Sequence, residues 1–296
     1  MEISGKTKVC AVVGDPIEHS LSPLIHNAAF QHLKLDFIYV AFRVKKEELR
    51  NAVQGIRSLN IHGFNVTMPH KIAIIKYLDE VDPTAKAIGT VNTVFNADGK
   101  LIGFSTDGIG ALNALKNNQV EPRGKRLLLL GAGGAAKAIA YQLAHEVEEI
   151  RILNRTEGKA KKLAKFLREK FNKKIIGEVL SSKLLREHLK EVDILINATS
   201  VGMHPNSDQT LVEREWLRPN LAVMDIVYDP LETRLIKDAK TVGAKVVHGT
   251  EMLVFQGAAS FEIWCGCPAP LNVMREAILK NLEKRRGDNW LSRQQR

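Results

Sequence analysis

The chain is poor in cysteine, in acidic residues and in long apolar runs, and each shortage excludes something. Three cysteines, Cys10, Cys265 and Cys267, in 296 residues make neither a disulfide framework nor a four-ligand zinc site. No stretch approaches the roughly 20 uninterrupted apolar residues of a membrane span, so no membrane partner is expected. The opening MEISGKTKVCAVVGD enters a strand-like run without the apolar region of a secretory signal. The expected compartment is the cytoplasm. The 33 acidic residues face 43 Lys+Arg, a net charge of +10, which invites a nucleic-acid reading. The excess concentrates in Lys159–Lys174, the solvated face of an amphipathic helix, and in Lys280–Arg296, a polar tail. There is no helix-turn-helix pattern, RNA-recognition aromatic set or zinc-finger spacing. A protein that handles small anions, with no nucleic-acid partner, is the better expectation.

What is present is ordinary globular material, 45% hydrophobic and 26% charged, long enough for two domains. Short apolar runs alternate with helical patterns, which predicts an α/β fold with mostly parallel sheets. Strands are predicted at Val9–Val13, Phe37–Phe42, Gly63–Thr67, Val91–Phe95, Leu127–Leu130, Ile150–Leu153, Asp193–Ala198, Ala222–Val227 and Lys245–Val247. Asn96-Ala97-Asp98-Gly99, between Val91–Phe95 and Leu101–Phe104, predicts a hairpin. A domain boundary falls near Asp107–Arg123 and a second join near Val247–Thr250. Helices over 250–264 and 270–284 have no strand left to pair with and must pack on an existing domain.

The most readable chemistry is Arg126-Leu-Leu-Leu-Leu-Gly131-Ala132-Gly133-Gly134-Ala135-Ala136, a G-x-G-x-x-A turn between a buried strand and an apolar helix. Gly131 allows the tight turn, Gly133 lets N–H groups approach a pyrophosphate, and Ala136 allows close helix–strand packing. The helix start offers unpaired donors and its dipole to the anion. An NAD site places a carboxylate at the end of the next strand; here stand Asn154-Arg155-Thr156, with Lys159 a turn later. The missing acid and the two cations predict NADP. Glu157 is assigned to the first helical turn, where it complements the dipole.

Four polar clusters mark the half without the glycine turn. In Gly14-Asp-Pro16-Ile-Glu-His19-Ser20-Leu-Ser22-Pro23, two hydroxyls can converge on one carboxylate; Ser22 can also cap the next helix. His19 and His26 lack a third ligand, so no metal is expected. In Asn65-Val-Thr67-Met-Pro69-His-Lys71, a lysine in a first helical turn would feel the positive dipole end, which lowers its pKa and suits proton transfer. Asn92, in Gly89-Thr90-Val-Asn92-Thr93, could bind vicinal hydroxyls or cap a turn. Asp107, in Gly103-Phe-Ser105-Thr106-Asp107-Gly108, could serve the same site or cap a helix. Together they suit a polyol carboxylate.

These clusters, with Asn197-Ala-Thr199-Ser200-Val-Gly202-Met203 and Gly249-x-Glu251-Met252-Leu253-Val254-x-Gln256-Gly257-Ala258, resemble the shikimate dehydrogenases along essentially the whole chain. One departure is Ser105, where the family usually has Asn. The resemblance implies a mixed-sheet α/β substrate domain (1–107), a Rossmann-type doubly wound NADP domain (108–247), and C-terminal helices (248–296) returning to the first. It implies that Ser20 and Ser22 hold the substrate carboxylate, with Tyr228 nearby. Thr67, Asn92, Asp107 and Gln256 would bind ring oxygens, and Lys71 with Asp107 would form the acid–base pair. Gly131, Ala132, Gly133, Gly134, Ala135, Asn154, Arg155, Thr156, Lys159, Thr199, Gly249 and Met252 would form the cofactor site. The implied activity is reversible NADPH-dependent reduction of 3-dehydroshikimate to shikimate, a step toward chorismate and the aromatic amino acids. A quinate/shikimate dehydrogenase of dual specificity and a non-catalytic nucleotide sensor are the alternatives. A homodimer stays open as the one macromolecular assembly.

Overall fold

The chain hides its apolar strands in two separate sheets. In the computed structural model, which describes residues 2–281, one unit takes the chain up to Thr106 and again from Gly257, and the other takes Asp107–Gln256. The polar tail beyond Asn281 and the last residues of the predicted helix 270–284 lie outside the described residues. Among the described residues no helix is long and apolar enough to cross a membrane.

The first unit contains β1 (Lys8–Gly14), α1 (Ser22–His32), β2 (Phe37–Arg43), α2 (Leu49–Ser58), β3 (Gly63–Val66), β4 (Glu80–Val81), α3 (Pro83–Ile88), β5 (Thr93–Ala97) and β6 (Lys100–Phe104). The sheet order is β2-β1-β3-β5-β6-β4. β1 runs parallel to β2 and β3, while β5 runs antiparallel to β3 and β6. The hairpin is present: Asp98 and Gly99 take φ of 51° and 93°, the two positive values of a type I′ turn. β4 is unmarked in the sequence because two edge residues carry no periodicity. Ala11, Val13, Phe64 and Val66 share a core with Leu49, Val53 and Ile56 of α2. On the opposite face, a Cβ on Gly63 would lie 2.3 Å from Trp264 Nε1, and that indole donates to Val94 O at 3.0 Å.

The second unit contains α4 (Asp107–Asn117), β7 (Arg126–Leu130), α5 (Gly134–Ala144), β8 (Glu149–Asn154), α6 (Glu157–Phe171), β9 (Lys174–Val179), α7 (Ser182–Leu189), β10 (Ile194–Asn197), β11 (Ala222–Asp225), α8 (Arg234–Thr241) and β12 (Lys245–Val247). Its six strands are all parallel in the order β12-β11-β10-β7-β8-β9. This is the doubly wound order, with its switch point between β7 and β10. Leu127 and Leu129 enter one core while Leu128 and Leu130 enter another, so an uninterrupted leucine run suits a sheet covered on both faces. β9 corrects the reading of Lys159–Lys174 as helix throughout. The helix stops at Phe171, Asn172 takes the left-handed cap, and only Ile175 of the edge strand is buried; such a strand has almost no apolar alternation to read.

The last described elements are α9 (Gly249–Cys265) and α10 over residues 271–281. The return to the first unit, expected at residue 248, falls within α9 at Gly257, and Asp107, expected to close the first domain, opens the second unit.

Candidate active site

In the first unit, backbone hydrogen bonds draw the polar clusters to one end of the sheet. β1 and β3 run in register to Val13 and Val66, and Thr67 N then donates to Val13 O at 3.0 Å. A Cβ on Gly14 would stand 2.3 Å from Thr67 Cγ2, so glycine is what lets Thr67 sit against the end of β1. Val91 N donates to Lys71 O at 2.8 Å, and Val66 N donates to Asn92 O at 2.8 Å. Thr67, Lys71 and Asn92 are thereby gathered from two stretches of sequence. Ser20 lies on the connection from β1 and Ser22 at the start of α1, with Ser22 N donating to Ser20 Oγ at 3.3 Å; Ser22 is buried and Ser20 half-buried.

Two local expectations need correction. Ser22 does not cap α1: the N-cap position is Leu21, no side chain closes the first turn, and Ser22 already lies inside the helix. Lys71 is not in a first helical turn. Residues 68–72 form turns that lead into a short 3-10 segment, Ala73–Tyr77, so the helical first turn on which that expectation rested is not there.

Asn92 holds a neighbouring strand end instead of capping a turn. Its Nδ2 donates to Thr106 Oγ1 at 2.8 Å and its Oδ1 accepts from Thr106 N at 2.7 Å. Behind it Thr93 Oγ1 and Ser260 Oγ stand 2.7 Å apart, and Asn65 Nδ2 donates to each at 3.1 Å. Tyr39 OH donates to Asn65 Oδ1 at 2.7 Å. All six side chains are buried, so the network is rigid and sensitive to the loss of any member. Sequence reasoning missed it, because Thr93 and Ser260 are 167 positions apart and neither carries a local signal.

In the second unit, Gly131 has φ +109° and a Cβ there would meet Ala198 O at 2.7 Å, whereas Gly133 faces open space. Gly133 is the N-cap of α5 and no side chain caps the helix, which leaves the first N–H groups, from Gly134 and Ala135 onward, for an incoming anion. Ala132 and Ala136 are buried. At the end of β8, Asn154 Nδ2 donates to Thr156 O at 2.9 Å. Arg155, Thr156 and Lys159 are exposed, and among the described residues no carboxylate pairs with Arg155 or Lys159. Glu157 stands in the first turn of α6 and pairs with Lys161 at 2.9 Å. Lys137 on α5 is a further cation to which the sequence reading gave no role. Burial, then the ammonium groups of Lys162 and Lys159, hold its pKa below the usual lysine range. Uncapped helix donors and unmatched cations fit a dinucleotide that carries an extra phosphate.

Thr199 follows β10, with Thr199 Oγ1 donating to Asn197 Oδ1 at 2.7 Å. Tyr228 follows β11, half-buried, its hydroxyl pKa raised by burial and then by Asp229. Gly249 is obligatory, since a Cβ would meet Val227 O at 2.5 Å. Met252 is part of the hydrophobic core of this unit. Gln256 Nε2 donates to Leu253 O at 2.8 Å. Asp107, 4% exposed, is the first residue of α4, and Gly108 behind it lets that helix approach Ala138 O of α5. Ser105 buries its hydroxyl with no hydrogen-bond partner.

A doubly wound sheet with a glycine turn and a cationic strand end, in a chain with a second polar-edged α/β unit, defines an NADP-dependent oxidoreductase. Residues 12–94 match the family model of the shikimate dehydrogenase substrate binding domain. Residues 114–227 match that of shikimate/quinate 5-dehydrogenase, and 249–279 that of the shikimate 5'-dehydrogenase C-terminal domain. The chain is 49% identical over 283 residues to the shikimate dehydrogenase (NADP(+)) of Methanocaldococcus jannaschii, covering 95% of this chain and 100% of that protein. A crystal structure of a shikimate dehydrogenase in complex with NADP+ matches with TM-score 0.89 and 47% identity, over 95% of this chain and 98% of that one. The Thermus thermophilus enzyme in complex with NADP(H) and shikimate matches with TM-score 0.82 and 36% identity, over 92% and 99%. The chain belongs to the shikimate dehydrogenase family.

Proposed function

We propose that this chain interconverts 3-dehydroshikimate and shikimate with NADP(H) as redox partner. The observation that carries the reading is the gathering of Thr67, Lys71 and Asn92 at one sheet end by backbone hydrogen bonds, which sets a proton donor among groups suited to a polyol. NADPH, when bound, supplies a hydride to the substrate's carbonyl carbon. The protein must orient the substrate and provide one proton. Lys71 donates it to the carbonyl oxygen and takes it back in the reverse direction. Asp107 is its acid–base partner and accepts from a ring hydroxyl. Ser20 and Ser22 donate to the substrate carboxylate, with Tyr228 assisting, and Thr67, Asn92 and Gln256 hold ring oxygens. The turn from Gly131 to Ala135 takes the pyrophosphate. Asn154, Arg155, Thr156 and Lys159 hold the 2′-phosphate, and Thr199, Gly249 and Met252 line the nicotinamide end.

Following cofactor reduction with shikimate or quinate, each with NADP+ or NAD+, tests this. Turnover with shikimate and NADP+ should exceed that with shikimate and NAD+ at least about tenfold, the size of a discrimination set by one charged contact. Equal turnover with quinate would make the enzyme dual-specific. No turnover with any pairing would leave a nucleotide-binding protein without this activity.

A further inference from the structure

Asp225 closes β11 with no exposed surface, and the proposed reaction does not use it. Three donors surround its carboxylate. Oδ1 accepts from Asn197 Nδ2 at 2.9 Å and from Val227 N at 3.1 Å, and Oδ2 accepts from Thr233 Oγ1 at 2.7 Å. Each donor belongs to a different segment. Asn197, turned this way, presents its own Oδ1 to Thr199, accepting from Thr199 N at 3.1 Å and from Thr199 Oγ1 at 2.7 Å; its Nδ2 also reaches Val201 O at 3.2 Å. Val227 lies in the segment whose carbonyls exclude a Cβ from Gly249. Thr233 caps α8, accepting from Ile236 N at 3.3 Å.

The charge is there despite its cost. Burial pushes this carboxyl up to about 6, and the three hydrogen bonds pull the other way. A side chain that merely filled space would carry no such penalty. What a carboxylate offers is acceptors only. An amide in its place could keep its oxygen for Asn197 and Val227 only by turning its NH2 toward Thr233 Oγ1, whose hydroxyl would then lose its acceptor and have to accept beside the bond it already takes from Ile236 N. The site lies at the carboxyl ends of β10 and β11, beside the switch point, where doubly wound sheets hold their ligands.

We propose that Asp225 is a positioning residue for the cofactor: by fixing the amide of Asn197, it aims Thr199 and the turn over 198–202 at the nicotinamide end of NADP(H). This rests on the reading of Thr199 as a cofactor contact. Calorimetric titration of NADP+ into the unloaded enzyme tests it on Asp225→Asn, Thr199→Val and the double variant, each checked by circular dichroism and thermal melting. Each single change should weaken NADP+ about five- to tenfold, the scale of one hydrogen bond. The double variant should be no weaker than the weaker single, because both act through one chain of bonds. In Asp225→Asn the cofactor KM should carry the loss while kcat falls less than about threefold. Should Asp225→Asn not fold, Thr233→Val removes the donor to Oδ2, and the cap on α8 with it, while keeping the methyl that lies beside Gly202, and should weaken NADP+ in the same way. Wild-type affinity in these variants alongside weak binding by Thr199→Val would overturn the positioning role and leave the proposed function standing. Losses that multiply in the double variant would overturn it too. Wild-type affinity in Thr199→Val would remove both the inference and the assignment of Thr199.

Discussion

Replacing Lys71 by Met separates the chemistry of the first unit from its folding. The backbone of Lys71 holds two clusters together through the bond from Val91 N, and the substitution leaves it intact. The side chain is half-buried and Met keeps most of the aliphatic stem, so stability should change by less than about 1 kcal/mol. What disappears is the proton donor. A positioned general acid contributes roughly 10²–10⁴ in rate, which is about 2.7–5.4 kcal/mol of barrier at about 1.36 kcal/mol per decade. The kcat for shikimate oxidation at saturating NADP+ should therefore fall about 10²- to 10⁴-fold. Shikimate KM should rise less than about fivefold, because a transition-state contact is lost and ground-state contacts are retained. Steady-state kinetics in both directions, with the urea midpoint measured alongside, provide the readout. A kcat within about threefold of wild type, or a loss confined to KM, would remove Lys71 from the proton-transfer step.

Three further outcomes are expected. Arg155→Ala should raise the KM for NADP+ about 10- to 100-fold, the scale of a charged hydrogen bond, and leave that for NAD+ nearly unchanged; equal losses with both dinucleotides would refute the assignment to the 2′-phosphate. Ser260→Ala strips a shared partner from Asn65, Thr93 and Thr106 and should cost about 1–3 kcal/mol in urea denaturation, an unchanged midpoint counting against the network. His26 is fully buried, stacked 4.4 Å from Tyr39, with neither ring nitrogen hydrogen-bonded, and burial lowers its pKa to about 3. The unfolded chain binds this proton below about pH 6.5 and the folded chain does not until about pH 3. Stability should therefore fall with pH across that window, by about 3 kcal/mol at pH 4. His26→Leu should show a shallower decline between pH 7 and pH 4, and an identical slope would discount His26 as the cause.

Legibility followed the range of the interaction. The run Leu127–Leu130, the turn from Gly131 and the acid-free end at Asn154-Arg155-Thr156 are local patterns with local causes, and they delivered the doubly wound sheet and its cofactor end. The Asp98-Gly99 turn was equally plain. The cap of α1 and the setting of Lys71 were misread for different reasons. Pro23 does mark a helix start, but α1 takes in Ser22 itself and is capped at Leu21, whereas Pro69 suggested a helix where the backbone at Lys71 is held by a distant segment, through the bond from Val91 N to Lys71 O. β9 escaped because its edge position leaves it without alternation. Tyr39, Asn65, Thr93, Ser260 and Asp225 escaped for a deeper reason: their value lies in partners far off in the chain, which spacing does not encode. Lys137 directly follows the glycine motif in the chain, but only the fold sets it beside Lys159 and Lys162.

On the ribosome, the notch above Gly63 stays empty until Trp264 has been synthesised. Thr106 and Gly257, where the first unit breaks off and resumes, are separated by about 150 residues, or roughly 8–30 s of elongation at ~5–20 residues per second. Throughout that interval the earliest strands wait with an apolar face uncovered and with Asn65 and Thr93 lacking the hydroxyl of Ser260. The unit made of one continuous stretch meets no such delay. The portion translated first is thus completed last, and it is the portion that a chaperone has most occasion to shelter.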